Sequence, residues 1–217
     1  MTDSVIIRLF EQRDRERIRQ ICCDTADRGR PIESFYPYRD IAADLLTGYY
    51  TDYEPHSSWV AEYDSQVVGY LNGCLDSARC TRLMTIRVVP ATVFKAMLSG
   101  VFWKKETWRW FKLALKSWTL GGFSRRISLR KYPAHVHINV DRLFRGKEAG
   151  HMLMDNFFLQ ARQAKARGIH AIVSGDNPNA QRFFEKMGFV VVSRHRMVIP
   201  NGKKDSLSYA IVYGKQF

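Results

Sequence analysis

Two stretches of this chain hold residues whose spacing suits a phosphorylated ligand. The first is Arg145-Gly146-Lys147-Glu148-Ala149-Gly150, with His151 directly after it. It lies between an alternating run at 134–140 and a segment of helical periodicity from Gly150 to Arg167. A turn entering a helix leaves the first backbone N–H groups unpaired, and their partial positive charge suits a pyrophosphate. Arg145 and Lys147 add side-chain charge, while Gly146 and Gly150 let the backbone approach the ligand. The second stretch, Asn177-Pro-Asn-Ala180-Gln-Arg-Phe183-Phe184-Glu-Lys-Met-Gly188-Phe189, reads as a helix over 179–187 ended by Gly188. On the strand before the first motif, His135 and His137 alternate, and an imidazole there could take a proton from a nucleophile.

Periodicity predicts the elements that must position these residues. A strand at 5–9 precedes a charged helix from about Asp14 to Thr25. Residues 28–57 read as irregular, rich in Pro and Tyr, with one helical turn at 41–46. Runs at 59–63 and 66–71, joined by Asp64-Ser65, form a hairpin. Beyond 134–140, the helix at 150–167 places Leu153, Phe157, Ala161 and Ala164 on one face and stops at Gly168. A strand at 169–174, the helix at 179–187 and a hairpin of 189–199 with 206–213 across Pro200-Asn201-Gly202 complete the chain. The expected class is α/β (α+β): one domain over 1–217, a mixed sheet with helices on both faces, carrying an insertion at 79–131.

Composition narrows the function classes. A hydrophobic fraction of 46% fits a folded soluble protein, and no apolar run reaches the ~18 residues of a membrane span. The early run Glu11-Gln-Arg-Asp-Arg-Glu-Arg argues against a signal peptide. Cys22, Cys23, Cys74 and Cys80 lack metal-ligand spacing, so reduced thiols in a cytoplasmic protein, and no metal, are expected.

Charge is concentrated in the insertion. Thirteen of the 34 Lys and Arg fall within 79–131 against one acid, Glu106, so this stretch holds +12 of the net +13. It also holds four of the five tryptophans. Trp103, Thr107, Trp110, Ala114 and Trp118 recur at three or four residues, and Lys105, Arg109, Lys112 and Lys116 do so about half a turn away. A second helix is expected at 92–99. Three roles stay open: a flap packing its aromatics on the core beside an acceptor cleft, a membrane-interface helix, or a nucleic-acid or polyanion binder.

The paired motifs resemble the GCN5-related N-acetyltransferase (GNAT) superfamily, whose phosphate loop reads Arg/Gln-x-x-Gly-x-Gly/Ala and is followed by an Asn-x-x-Ala-x-x-Phe-Tyr-x-x-x-Gly-Phe helix. The resemblance implies a sheet whose strands 134–140 and 169–174 splay apart and hold acetyl-CoA between them. Ile138, Asn139 and Val140 would pair with pantetheine, and the amides of Arg145, Gly146, Lys147, Glu148, Ala149 and Gly150, leading into His151, would hold the diphosphate. Asn177, Ala180 and Phe184 would line the groove. Glu148 replaces the loop's usual first glycine, and a helical conformation that turns its carboxylate outward is expected.

The implied activity is acetyl transfer to an amine of an unidentified acceptor, anionic or peptide in character. The family's usual Tyr acid is Phe184 here, so Tyr132, Tyr209, Tyr213 or water must protonate the thiolate. His137 is the candidate base. Arylalkylamine acetyltransferases carry a similar His pair one residue out of step, and the positions facing their base site are Ala134, Val136 and Ile138 here. The alternative is a weak or inactive acetyl-CoA-binding module that docks a partner or anionic surface through 79–131. Residues 5–76 and 132–189, including the Trp59-Val-Ala-Glu-Tyr-Asp hairpin and His135-Val-His-Ile-Asn139, resemble the acetyltransferase-like domain attached to eukaryotic O-GlcNAcase, and more so its free-standing bacterial relatives.

Overall fold

The computed structural model describes residues 4–120, 127–146, 148–201 and 204–217, with backbone alone at 199–201 and 204. Seven strands form one sheet in the order β1-β2-β3-β4-β5-β7-β6. β1 (Ile6–Leu9), β2 (Ser58–Tyr63) and β3 (Gln66–Cys74) pair antiparallel. Asp64 and Ser65, both with φ near +50°, make the two-residue turn expected between β2 and β3 (φ +47° and +59°). β4 (Ala134–Val140) runs antiparallel to β3 and parallel to β5 (Gly168–Ser174). The closing hairpin joins β6 (Val190–Asn201) and β7 (Lys204–Gln216). Asn201 pairs with Lys204, so the strands run past the expected Pro200-Asn201 turn, and residues 202–203 lie outside the described set.

Alternation along the strands serves a core on each face. Leu71, Ala134, Val136 and Ile169 face α6 (Ala149–Gln163), whose Leu153, Phe157 and Ala161 are fully buried as expected. Phe157 seats over Gly73, where an added Cβ would lie 2.2 Å from the ring. Val60 and Tyr70 face the other way, against Ile18, Ile21 and Cys22 of α1 (Arg15–Thr25).

Several boundaries differ from expectation. α6 ends at Gln163, Lys165 takes the left-handed conformation that closes a helix, and Ala164 is exposed. Gly168 instead opens β5, where a Cβ would meet the Lys215 and Lys131 carbonyl oxygens at 2.7 and 2.8 Å. The supposed irregular stretch contains a full helix, α2 (Arg39–Tyr53), with Tyr49 at its buried face. Tyr49, Tyr50 and Tyr53 are spaced for this helix, and prolines at 31, 37 and 55 flank it without interrupting it.

Among its described residues the insertion is built on three α-helices. α3 (Ser77–Leu83) passes through a π-turn at Met84–Val88 into α4 (Val89–Leu98), so the helix expected at 92–99 starts earlier, as the continuation of a helical path from Ser77, and ends at Leu98. Pro90 stands in the first turn of α4, directly after the π-turn. Gly100, at φ +73°, turns the chain into α5 (Lys105–Thr119). Thr107, Leu113 and Ser117 form the buried side of α5, and Trp110 packs near Tyr36 and Ile41. Ser117 Oγ accepts from the Val198 N–H at 3.0 Å, tying α5 to β6. Trp103, Trp108 and Trp118 are exposed, so of the three roles left open, the flap that packs its aromatics on the core holds for Trp110 but not for these three. No helix of the described residues is long and apolar enough to cross a membrane.

Candidate functional site

β4 and β5 pair only at Ala134–Ile169 and His135–His170. Beyond that rung they part, while β4 stays paired to β3 as far as Val140. The edge of β4 from Val136 onward therefore presents backbone groups without a β5 partner. An amide-bearing chain can satisfy these as an added strand.

A cavity of about 790 Å³ opens at this parting and runs to the N-terminus of α6. Ile138, Asn139, Val140, Arg145, Gly146, Glu148, Gly150, His151, Asn177, Ala180 and Phe184 line it, so eleven of the thirteen residues expected around a cofactor come together there. Ala149 does not line it; its side chain is buried under the helix start. Lys147 lies outside the described residues.

The loop conformation corrects one expectation. Glu148 is not helical but left-handed, at φ +59°, and stands as the residue before α6. A non-glycine residue there carries roughly 1 kcal/mol or more of strain. Gly146, at φ +79°, has open space where its Cβ would be. Gly150 serves a packing role: a Cβ would lie 3.2 Å from the Phe183 ring. That ring also meets the His151 imidazole edge-on at 5.4 Å.

Three features were not legible from the motifs. Arg28 and Gly29, after α1, form part of the cavity wall. The Arg145 guanidinium lies against Gly29, so close that a Cβ there would fall 2.4 Å from Nη1, and Arg145 Nε donates to the Val140 carbonyl at 3.1 Å. Arg28 reaches Asp176, beyond β5, at 3.6 Å. The segment after α1 thus links both sides of the parting, a long-range contact that no local spacing encodes. Asn177 caps α7 (Pro178–Lys186), its Oδ1 accepting from the Ala180 N–H at 3.1 Å.

The proposed acid and base residues do not line the cavity. His137 points to the α1–α2 side, between the rings of Tyr50 and Tyr70, with Asn139 Nδ2 at 3.3 Å from its Nε2. Burial pushes its pKa down to about 4, so the imidazole is neutral at ordinary pH. Tyr213 is buried and donates to Glu185 at 2.9 Å; burial and that carboxylate push the phenol up to about 12. Tyr132 packs beside Gly168 and Gly214, at the paired end of β4 and β5. Tyr209 borders Gly175, just past the open end of β5.

All four cysteines are buried and unoxidised. Cys74, Cys80 and His135 nevertheless converge, with donor atoms within 4.8 Å, a grouping that sequence spacing did not announce. His135 already has Ser77 Oγ 2.7 Å from Nδ1 and Tyr50 Oη 2.9 Å from Nε2, so both ring nitrogens are engaged.

Residues 119–191, which span β4 to α7, match the family model of the acetyltransferase (GNAT) domain. This third of the chain is similar to the GNAT acetyltransferase domain. A crystal structure of SsHAT superposes with a TM-score of 0.69 at 20% identity over 98% of each chain. An N-acetyltransferase from Staphylococcus aureus Mu50 gives 0.57 at 15% identity, again over 98% of each. The yncA protein from Salmonella typhimurium, whose structure holds its cofactor acetyl-CoA, gives 0.56 at 14% identity over 98% of this chain and 94% of that one. Such identities establish the GNAT fold, and the mixed seven-stranded sheet flanked by helices agrees with it.

Proposed function

We propose that the protein transfers the acetyl group of acetyl-CoA to an amine. The parting of β4 and β5, with its cavity leading to the start of α6, carries this proposal. Pantetheine pairs with the free edge at Ile138–Val140, and the diphosphate meets the N–H groups of the 145–150 loop and the first turn of α6. Asn177, Ala180 and Phe184 border the thioester. A neutral amine attacks the thioester carbonyl carbon, and a β4 N–H near Asn139 or Val140 stabilises the oxyanion. The C–S bond breaks and CoA thiolate leaves. Phe184 has no proton to give, so water takes up the amine proton and supplies the thiolate. The basic insertion packs on the segment that follows α1, biasing the acceptor towards an anionic or peptide amine.

The N-terminal likeness supports a finer placement beside the free-standing bacterial relatives of the O-GlcNAcase acetyltransferase-like domain. A cytoplasmic setting supplies acetyl-CoA and keeps the buried thiols reduced; burial, more than any neighbour, pushes Cys22 up to about 12. Release of free CoA across a panel of amines and peptides tests the activity. With water as the proton acceptor, kcat/KM should rise along one limb as the amine deprotonates, and a bell-shaped profile would contradict the water route.

One observation favours a second reading, a weak or inactive acetyl-CoA-binding module. Apart from His151 at the α6 end, no His, Tyr or Cys lines the cavity among the described residues. Cofactor binding with no acceptor turned over would favour it; rapid acetylation of any small amine, lost on blocking the cavity, would remove it.

A further inference from the structure

The geometry of α5 points to an anionic membrane surface as a docking partner, independently of acetyl transfer. At about 100° per residue the helix has three stripes, each roughly a third of a turn from the next. Thr107, Leu113 and Ser117 face the protein. Trp108, Phe111, Leu115 and Trp118 form a second stripe that is exposed among the described residues, Leu115 and Trp118 at 62% and 67%. Lys105, Arg109, Lys112 and Lys116 make the third, also exposed.

The apolar stripe is continuous and fixed. Phe102 joins its near end, with ring centroids 5.0 Å from Trp103, 5.6 Å from Trp108 and 6.3 Å from Phe111. Trp103 itself is 66% exposed. The Ser117–Val198 bond, and an Arg109–Asp205 pair at 3.1 Å, hold the helix against the β6–β7 hairpin, so the outward stripe does not fold back when the inner face is satisfied. Isolated exposed apolar residues are ordinary, but a contiguous strip beside a cationic one marks an interaction surface.

Charge and side-chain type choose the occupant. A second copy would bring another insertion of the same strong positive charge, and the two lysine stripes would repel. Nucleic acid would use the lysines and could stack on the tryptophans, but gains nothing from Leu115. An anionic bilayer uses all of them. Leu and Phe enter the acyl boundary, Trp sits at headgroup depth, and lysines meet the lipid charge.

The test uses the full chain with vesicles of equal parts phosphatidylglycerol and phosphatidylcholine, and with phosphatidylcholine alone. Association with the anionic vesicles at low salt, a blue-shifted tryptophan emission and release by high salt are expected. Lys112→Ser with Lys116→Ser should weaken binding about thirtyfold, taking about one factor of five per lysine. Leu115→Ser with Trp118→Ser should abolish it; both changes are at exposed positions, and circular dichroism checks that the fold is kept. No association at low salt would overturn the proposal, as would equal binding to neutral vesicles. So would a dimer that Trp118→Ser converts to monomer without vesicle binding, or RNA binding in the absence of vesicle binding.

Discussion

The wedge between β4 and β5 offers backbone, whereas the helices inserted after β3 offer side chains. At the wedge the useful groups are N–H and C=O left over where two strands part, and the residues that matter most are those that keep their own side chains out of the way. Gly150 is one, held to a hydrogen by the nearness of Phe183. On α5 the backbone is satisfied within the helix and the surface is whatever the side chains present. A backbone site is therefore sensitive to added bulk and tolerant of lost chemistry, and a side-chain surface behaves the opposite way.

The sharpest way to break this contrast is to add bulk beneath and within the wedge. Gly73→Ala forces a methyl into the Phe157 ring and towards the Ser57 carbonyl, 2.4 Å away. Thermal or urea unfolding should show a loss of about 3 kcal/mol, the upper range for overpacking. Gly150→Leu should leave the sheet folded but lower acetyl-CoA affinity about a hundredfold, or some 3 kcal/mol, by calorimetric titration.

A smaller effect sharpens the contrast at the loop. Glu148→Gly relieves the left-handed strain and removes a carboxylate from the cavity wall. It should raise stability by about 1 kcal/mol and tighten acetyl-CoA binding severalfold, most visibly at low salt.

His137 gives a pH-dependent effect of similar size. The unfolded imidazole takes up a proton near pH 6.5, but the buried one only near 4. Between those values the unfolded chain binds more protons. Its contribution is full above pH 6.5 and is lost as the pH falls towards 4, by at most about 1.4 kcal/mol per pH unit. His137→Gln should flatten that part of the stability–pH curve relative to the native chain.

The smallest effect belongs to the insertion. Leu115→Ser with Trp118→Ser removes exposed side chains, so unfolding free energy should change by no more than about 0.5 kcal/mol per site and acetyl-CoA affinity should not change.

Much of the wedge was legible because its determinants are local. Arg145 to Gly150, and Asn177 to Phe189, each lie within one turn and one helix, so spacing alone orders them. The hairpin at Asp64-Ser65 and the helix stop at Gly188 were legible for the same reason. What stayed hidden depends on contacts distant in sequence. Gly29 against Arg145, and Arg28 with Asp176, join segments that only the fold brings together. The left-handed Glu148 was missed because its residue type favours a helix and the tight entry to α6 overrides that preference. On α5, periodicity found stripes but not which one faces inward, since Thr107, Leu113 and Ser117 are chosen by the hairpin they meet. Trp103 and Trp118, which a flap packed on the core would have buried, face out.

Calorimetric titration of the folded chain with acetyl-CoA, repeated with Gly150→Leu, tests the central claim most directly. Saturable binding by the native chain, strongly weakened in the variant while its unfolding transition persists, is the predicted result. No heat of binding from the folded native chain, or equal binding by both, would contradict a cofactor seated where β4 and β5 part.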